Sequence, residues 1–144
     1  MGCMKLLNRK PSEPTQVYRL SSLLSFGAIS RAGRRPADVL VHVGDESIPR
    51  RSRGVRTIRS PFADGNLPPG GQLEDLVSLV YRSIQQGRSV HVTCDEGRNR
   101  SALICGLALH RLERLDGPAV IQRLVEARLA ILTNLVFRKH LQEL

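Results

Sequence analysis

The spacing of apolar residues changes several times along the chain, and each change marks an element. Val39, Leu40, Val41 and Val43 lie in a β-branched run from Asp38 to Gly44 that reads as a buried strand. Val55-Arg56-Thr57-Ile58 reads as the next strand, and the Pro/Gly-dense stretch from Ser60 to Gly71 reads as a loop. Leu73, Leu76, Val77, Val80 and Ile84 then recur at helical spacing, with Gly87 placed to end the helix. A strand over 89–93 precedes a helix from about Arg100 to Arg114 that is rich in Ala, Leu and Ile. Asp116 reads as the N-cap of another helix, with Pro118 in its first turn. Thr133 reads as the cap of a last one, to which Leu135, Val136 and Leu141 bring apolar contacts. The N-terminal third carries weaker signals. Val17-Tyr18-Arg19-Leu20 alternates like an edge strand, while serines and Gly27 break up residues 21–29, which read as a short helix or turn.

Strands alternating with helices define an α/β fold: a single compact domain with a mostly parallel sheet of about four to five strands and helices on both faces. The polar residues 1–16, with Pro11 and Pro14, read as a loosely held tail before a domain over 17–144. In such a fold ligands bind at the carboxyl ends of the strands, and Cys94 falls there.

Composition narrows the partners. Twenty-two basic side chains against thirteen acidic ones give a net charge of +9, concentrated at Arg31, Arg34 and Arg35 and at Arg50, Arg51 and Arg53. Such a surface favours anionic partners: phosphorylated proteins, anionic lipids or RNA. Aromatic content of 3% without Trp leaves little for stacking bases, so a stable nucleic-acid complex is not expected. Three cysteines do not make a disulfide framework, and no apolar run reaches membrane-spanning length. A cytoplasmic protein is expected, of an oligomeric state the residues do not indicate.

The stretch Ser89-Val90-His91-Val92-Thr93-Cys94-Asp95-Glu96-Gly97-Arg98-Asn99-Arg100-Ser101 carries the chemistry. A strand, a tight loop and a helix start point several backbone N–H groups into one concavity, where the helix dipole adds positive potential. Cys94 stands at its mouth, and a field that binds phosphate also favours a thiolate nucleophile. Arg100 can turn its planar fork over the loop and grip two phosphate oxygens, which Lys cannot do. The amides of Asp95, Glu96, Gly97, Arg98, Asn99 and Arg100 supply the other phosphate-binding donors, and Gly97 permits a backbone angle that a side chain hinders. Cys105, on an apolar helix, reads as core.

A Cys, five residues, an Arg and a Ser resemble the signature of the cysteine-dependent protein phosphatases; Cys94, Arg100 and Ser101 match it. Glu96-Gly97 is similar to the loop of the small dual-specificity phosphatases, and Asn134-Leu135-Val136-Phe137 resembles their last-helix pattern. The resemblance implies hydrolysis of phosphate monoesters through a phosphocysteine, needing neither cofactor nor metal. The substrate it implies is phosphotyrosine in proteins, with phosphoserine or phosphothreonine as a further option. It also implies a general acid on a separate loop, and Asp64, thirty residues before Cys94, occupies the matching place. Ser101 would donate to the sulfur when the phosphoenzyme breaks down. Asp45, Asp75 and Asp116 are weaker candidates for the acid.

Two features depart from the family pattern. Thr93 stands where the family commonly has His, and Asp95 and Glu96 put carboxylates into a loop meant for an anion. These must point outward or, for Glu96, pair with Arg100. Strand alternation sets His91 opposite Cys94, and His42, His110 and His140 read as structural. Two alternatives stay open: a phosphoinositide or RNA 5′-phosphatase of the same fold, favoured by Arg98, and a phosphate-binding module with little turnover, favoured by Thr93. The zinc-ligand spacings and the nucleotide-binding Gly-Lys-Thr loop are absent.

Overall fold

The computed structural model describes residues 16–29, 37–48 and 54–144. Five strands form one mixed sheet: β1 (Tyr18–Arg19), β2 (Leu24–Ala28), β3 (Val39–His42), β4 (Arg56–Arg59) and β5 (Val90–Cys94). Their order is β1-β2-β5-β3-β4, with only β1 antiparallel to its neighbour. Four helices flank the sheet among the described residues: α1 (Gly71–Gln85), α2 (Arg100–Glu113), α3 (Gly117–Ala127) and α4 (Leu135–Gln142). The expected tail lies outside the described residues apart from Gln16, as do both arginine clusters.

Register explains the two faces of the sheet. Leu24, Val90 and Val39 stand level across three strands, as do Phe26, Val92 and Val41. These six side chains share one core with Val77 and Val80 of α1, Leu103 and Leu109 of α2, Leu124 of α3, and Phe137 and Leu141 of α4. Four of the alternate positions, Ser25, His91, Thr93 and His42, are polar and buried, and they satisfy one another in pairs. Ser25 Oγ and His91 Nδ1 are 2.8 Å apart, and Thr93 Oγ1 and His42 Nδ1 are 2.9 Å apart.

Residues 21–29 depart from expectation. In place of a short helix or turn they contain β2, buried next to the central strand. Ser25 is neutralised as a strand breaker by the ring of His91, and Gly27 is small because a Cβ there would lie 2.7 Å from the Gln16 carbonyl oxygen. Both causes are non-local, so the local pattern misleads. Asp116 caps α3 as expected, accepting from the Ala119 amide. The cap of α4 is Asn134 rather than Thr133; its side chain accepts from the amides of Val136 and Phe137. Leu135 and Val136 are exposed rather than packed, and Phe137 with Leu141 anchors that helix. No helix of the described residues is long and apolar enough to cross a membrane.

The parallel strands end level with one another, Ala28 opposite Cys94 and His42 opposite Thr93. The turn after β3 and the loop after β4 therefore reach the same edge as Cys94.

Burial of His91 makes the fold's stability depend on pH. Desolvation, with the positive charge of Arg19 adding to it, pushes His91 down to about 4. The unfolded chain takes up a proton at this residue near pH 6.5 while the fold does not, so stability is full above that pH and falls as the pH drops toward 4. The loss reaches about 3 kcal/mol. Urea unfolding of wild type and His91→Gln between about pH 7 and pH 4 checks this: the variant is expected to show a shallower decline. Equal slopes would contradict it.

Candidate active site

Strand β5 stops at Cys94 and helix α2 starts at Arg100, so the five residues between them must reverse the chain tightly. Gly97 makes this possible at a φ of 68°, pressed so close to β2 that a Cβ would lie 2.4 Å from the carbonyl carbon of Gly27. Its amide donates to Cys94 Sγ at 3.2 Å, and Ser101 Oγ lies 3.3 Å from the same sulfur, to which its hydroxyl donates once the thiol is ionised. Two donors on one sulfur suit an anionic thiolate. Ser101 therefore faces the cysteine instead of serving as a helix cap. Cys105 is fully buried, and burial pushes its thiol up beyond the range in which it could react.

Arg100 is buried at 7% exposure, and its guanidinium is held on two sides. Nη1 donates to Asp45 Oδ2 at 3.0 Å and to the Phe62 carbonyl at 3.1 Å, while Nη2 donates to Asp95 Oδ2 at 2.9 Å. Nε is buried without a partner among the described residues. Burial works against the charge, but Asp45 and Asp95 outweigh it and keep Arg100 protonated more firmly than usual. Asp95, not Glu96, is thus the loop carboxylate that pairs with Arg100, and Asp95 does not point away from the site. Glu96 is exposed. Burial alone would raise Asp95, but the amides of Glu46 and Asp45 and the Arg100 guanidinium hold its carboxyl below the usual range. Gly44 leaves room for this carboxylate; a Cβ there would lie 2.3 Å from Asp95 Oδ1.

The Thr93 hydroxyl is met by a histidine from across the sheet. This is His42 of β3, whose other ring nitrogen donates to the Glu46 carbonyl at 2.8 Å. With Nε2 as donor, Nδ1 accepts from Thr93, which fixes a neutral tautomer. Burial lowers the proton affinity of His42, against the Glu46 carbonyl and Asp95, which raise it.

Asp64 stands on the loop after β4, where Asn99 Nδ2 donates to one carboxylate oxygen at 3.1 Å and Asn134 Nδ2 to the other at 2.8 Å. Asn99 belongs to the loop between β5 and α2, so this bond ties the Asp64 loop to it directly. Asp64, Asn66, Asn99, Thr133, Asn134 and Val136 line an open cleft of about 420 Å³. Thr133 and the Asn134 amide complete the grip on Asn99. Arg98 is exposed at the loop. Asp75 lies in α1 and Asp116 caps α3, so neither is seen at this site.

Three roles at the site are not anticipated by the sequence: Asp45 as a partner of Arg100, Asn134 as a partner of Asp64, and Arg128, which donates to the backbone of the loop. Gly44-Asp45 at the carboxyl end of a strand is the available signal for the first, and the last-helix pattern for the second. Among the described residues no three metal-ligating side chains come together.

Comparisons with known proteins agree with this fold. No protein-family model matches the chain. Protein tyrosine phosphatase type IVA 3 of human and of mouse are each 28% identical to it over 106 residues, 72% of the chain. The matched region is 58% of those curated relatives. A solved mouse putative dual specificity phosphatase, complexed with zinc tungstate, superposes with a TM-score of 0.78 at 26% identity, covering 94% of this chain and 90% of that one. Human DUSP28 gives a TM-score of 0.74 at 25% identity, covering 88% of this chain and 93% of that one. The fold is that of the dual-specificity and tyrosine phosphatases, and the sequence relatives and solved structures are phosphatases of the kind the chain's sequence resembles.

The close approach of Gly97 to β2 sets a stability test. Gly97→Ala combines a left-handed φ with a backbone clash, and a loss of about 2 kcal/mol or more in thermal or urea unfolding is expected. A change below about 0.5 kcal/mol would show that the loop is not packed as described.

Proposed function

We propose that this chain is a metal-independent phosphatase that hydrolyses phosphate monoesters through a phosphocysteine on Cys94. The observation that carries the reading is Arg100: a buried, charged donor whose Nε has no partner among the described residues, beside a cysteine whose sulfur already meets a backbone amide and a hydroxyl. A buried unpaired donor is costly unless an anion meets it. Asp45 and Asp95 hold the two outer nitrogens, which leaves Nε for a phosphoryl oxygen.

Cys94 attacks phosphorus in line, forming the S–P bond as the P–O bond to the leaving group breaks. Asp64 gives its proton to the leaving oxygen. Its place beside Asn99 and Asn134 fixes the carboxyl at the cleft while each oxygen keeps a lone pair for the proton. Charge spreading over the equatorial oxygens meets Arg100 and the loop amides. Water then attacks phosphorus, Asp64 takes its proton, and the sulfur departs as a thiolate stabilised by the Ser101 hydroxyl. A reducing cytoplasm would keep that thiol active. The open cleft suits phosphotyrosine in proteins and admits phosphoserine or phosphothreonine.

Hydrolysis of para-nitrophenyl phosphate in EDTA tests the assignment. Cys94→Ser is expected to abolish turnover, and Asp64→Asn to lower kcat by roughly 10²-fold. Activity persisting in Cys94→Ser would overturn the mechanism. A wild type that binds phosphopeptide without turning it over would establish the binding module instead. A panel of phosphopeptide, phosphoinositide and RNA 5′-phosphate substrates then separates the substrate classes.

A further inference from the structure

In a trans peptide the carbonyl of one residue and the N–H of the next point in opposite directions. A loop that aims its amides inward must therefore aim its carbonyls outward, and something has to receive them. Three consecutive carbonyls of the phosphate loop are received by one segment, the connection between α3 and α4. Arg128 Nη1 donates to Glu96 O and to Gly97 O, both at 2.9 Å, and the Leu132 amide donates to Arg98 O at 3.1 Å. The paired amides are those of Gly97, Arg98 and Asn99. For Gly97 the inward direction is directly visible, since its N–H meets the Cys94 sulfur.

The donors are themselves held in place. Arg128 is the first residue past α3, with extended backbone and its amide tied to Leu124 O at 3.0 Å. Its guanidinium lies 4.7 Å from the centre of the Tyr18 ring, which stacks on Phe26 at 5.4 Å. Leu132 is buried in a left-handed conformation with φ of 57°, an unfavourable state for a branched residue that the surrounding packing must impose.

We propose that Arg128 is a positioning residue for the phosphate loop: by holding the Glu96 and Gly97 carbonyls outward, it turns the Gly97 and Arg98 amides toward the oxyanion and the cysteine sulfur. Tyr18 positions Arg128 in turn, which makes the N-terminal edge strand part of the support of the site. This rests on reading the loop as an oxyanion site and not on turnover. Without Arg128, either peptide plane can rotate, and a carbonyl dipole then faces the bound anion in place of an amide.

The test uses tungstate as oxyanion probe in calorimetric titrations, with the rate of Cys94 alkylation by iodoacetate at fixed pH as second readout. Arg128→Met is expected to weaken tungstate roughly tenfold and to slow alkylation severalfold. Arg128→Lys, which keeps the charge but lacks the planar fork, is expected to recover only part of both, and Tyr18→Leu to shift both in the same direction by less. Arg123→Met removes an arginine that also bonds a backbone carbonyl, that of Leu20, away from the site, and should bind tungstate as wild type does. If Arg128→Met does not fold, Arg128→Lys decides on the same readouts. Wild-type tungstate affinity and alkylation in a folded Arg128 variant, or an equal loss in Arg123→Met, would overturn the proposal. A wild type that binds tungstate yet hydrolyses no phosphate ester would remove the phosphatase reading and leave this comparison valid.

Discussion

The direction of a few peptide planes governs this molecule. Between Cys94 and Arg100 the chain has five residues in which to turn from the central strand into a helix while keeping its amides pointed at one spot. Backbone dipoles have no means of choosing that orientation by themselves, so the neighbouring elements impose it. Strand β2 presses on Gly97 from one side, and the α3–α4 connection takes up the carbonyls on another. The Asp64 loop and the start of α4 hold Asn99. The core beneath supplies the rigidity such a constraint needs, because Phe26, Val92 and Val41 lock three strands level with one another.

Charge in the loop is resolved by pairing rather than avoidance. Asp95 looks unsuited to an anion site, yet it is the fixed counter-charge that orients Arg100 and draws in the turn after β3 through the amides of Asp45 and Glu46. Thr93, standing where the phosphatases this chain resembles commonly carry histidine, is fastened in a related way. Thr93 directs its hydroxyl to His42, whose far nitrogen grips the Glu46 carbonyl, so the same turn is fastened twice. The Thr93–His42 bond lies on the face of the sheet opposite Val92 and Val41. The outcome is an arginine held by carboxylates at its outer nitrogens, with Nε buried and without a partner among the described residues.

What could be read from the sequence was local. The β5-loop-α2 unit, the amphipathic α1 and the capped α3 each announce themselves within a short window, because the residues that shape them are neighbours in the chain. Cys94, Gly97, Arg100 and Ser101 were legible for the same reason. Strand β2 was not, since Ser25 and Gly27 make sense only beside His91, Gln16 and the phosphate loop. Which carboxylate meets Arg100 was not legible, because sequence spacing does not tell whether Asp95 or Glu96 turns inward; the fold turns Asp95 in and leaves Glu96 exposed. Arg128 carries no signal at all: an arginine after a helix looks like a solvated charge until the fold brings Glu96 and Gly97 under it.

The central claim is that the sulfur of Cys94 carries the phosphoryl group during turnover. The most direct measurement is turnover of a labelled phosphate ester quenched with denaturant at alkaline pH, where an S-phosphate survives, followed by peptide mass spectrometry of the intact thiophosphate. The account predicts phosphate on the peptide containing Cys94, absent when Cys94 is replaced by alanine. Steady turnover with no phosphate ever found on that cysteine would contradict it.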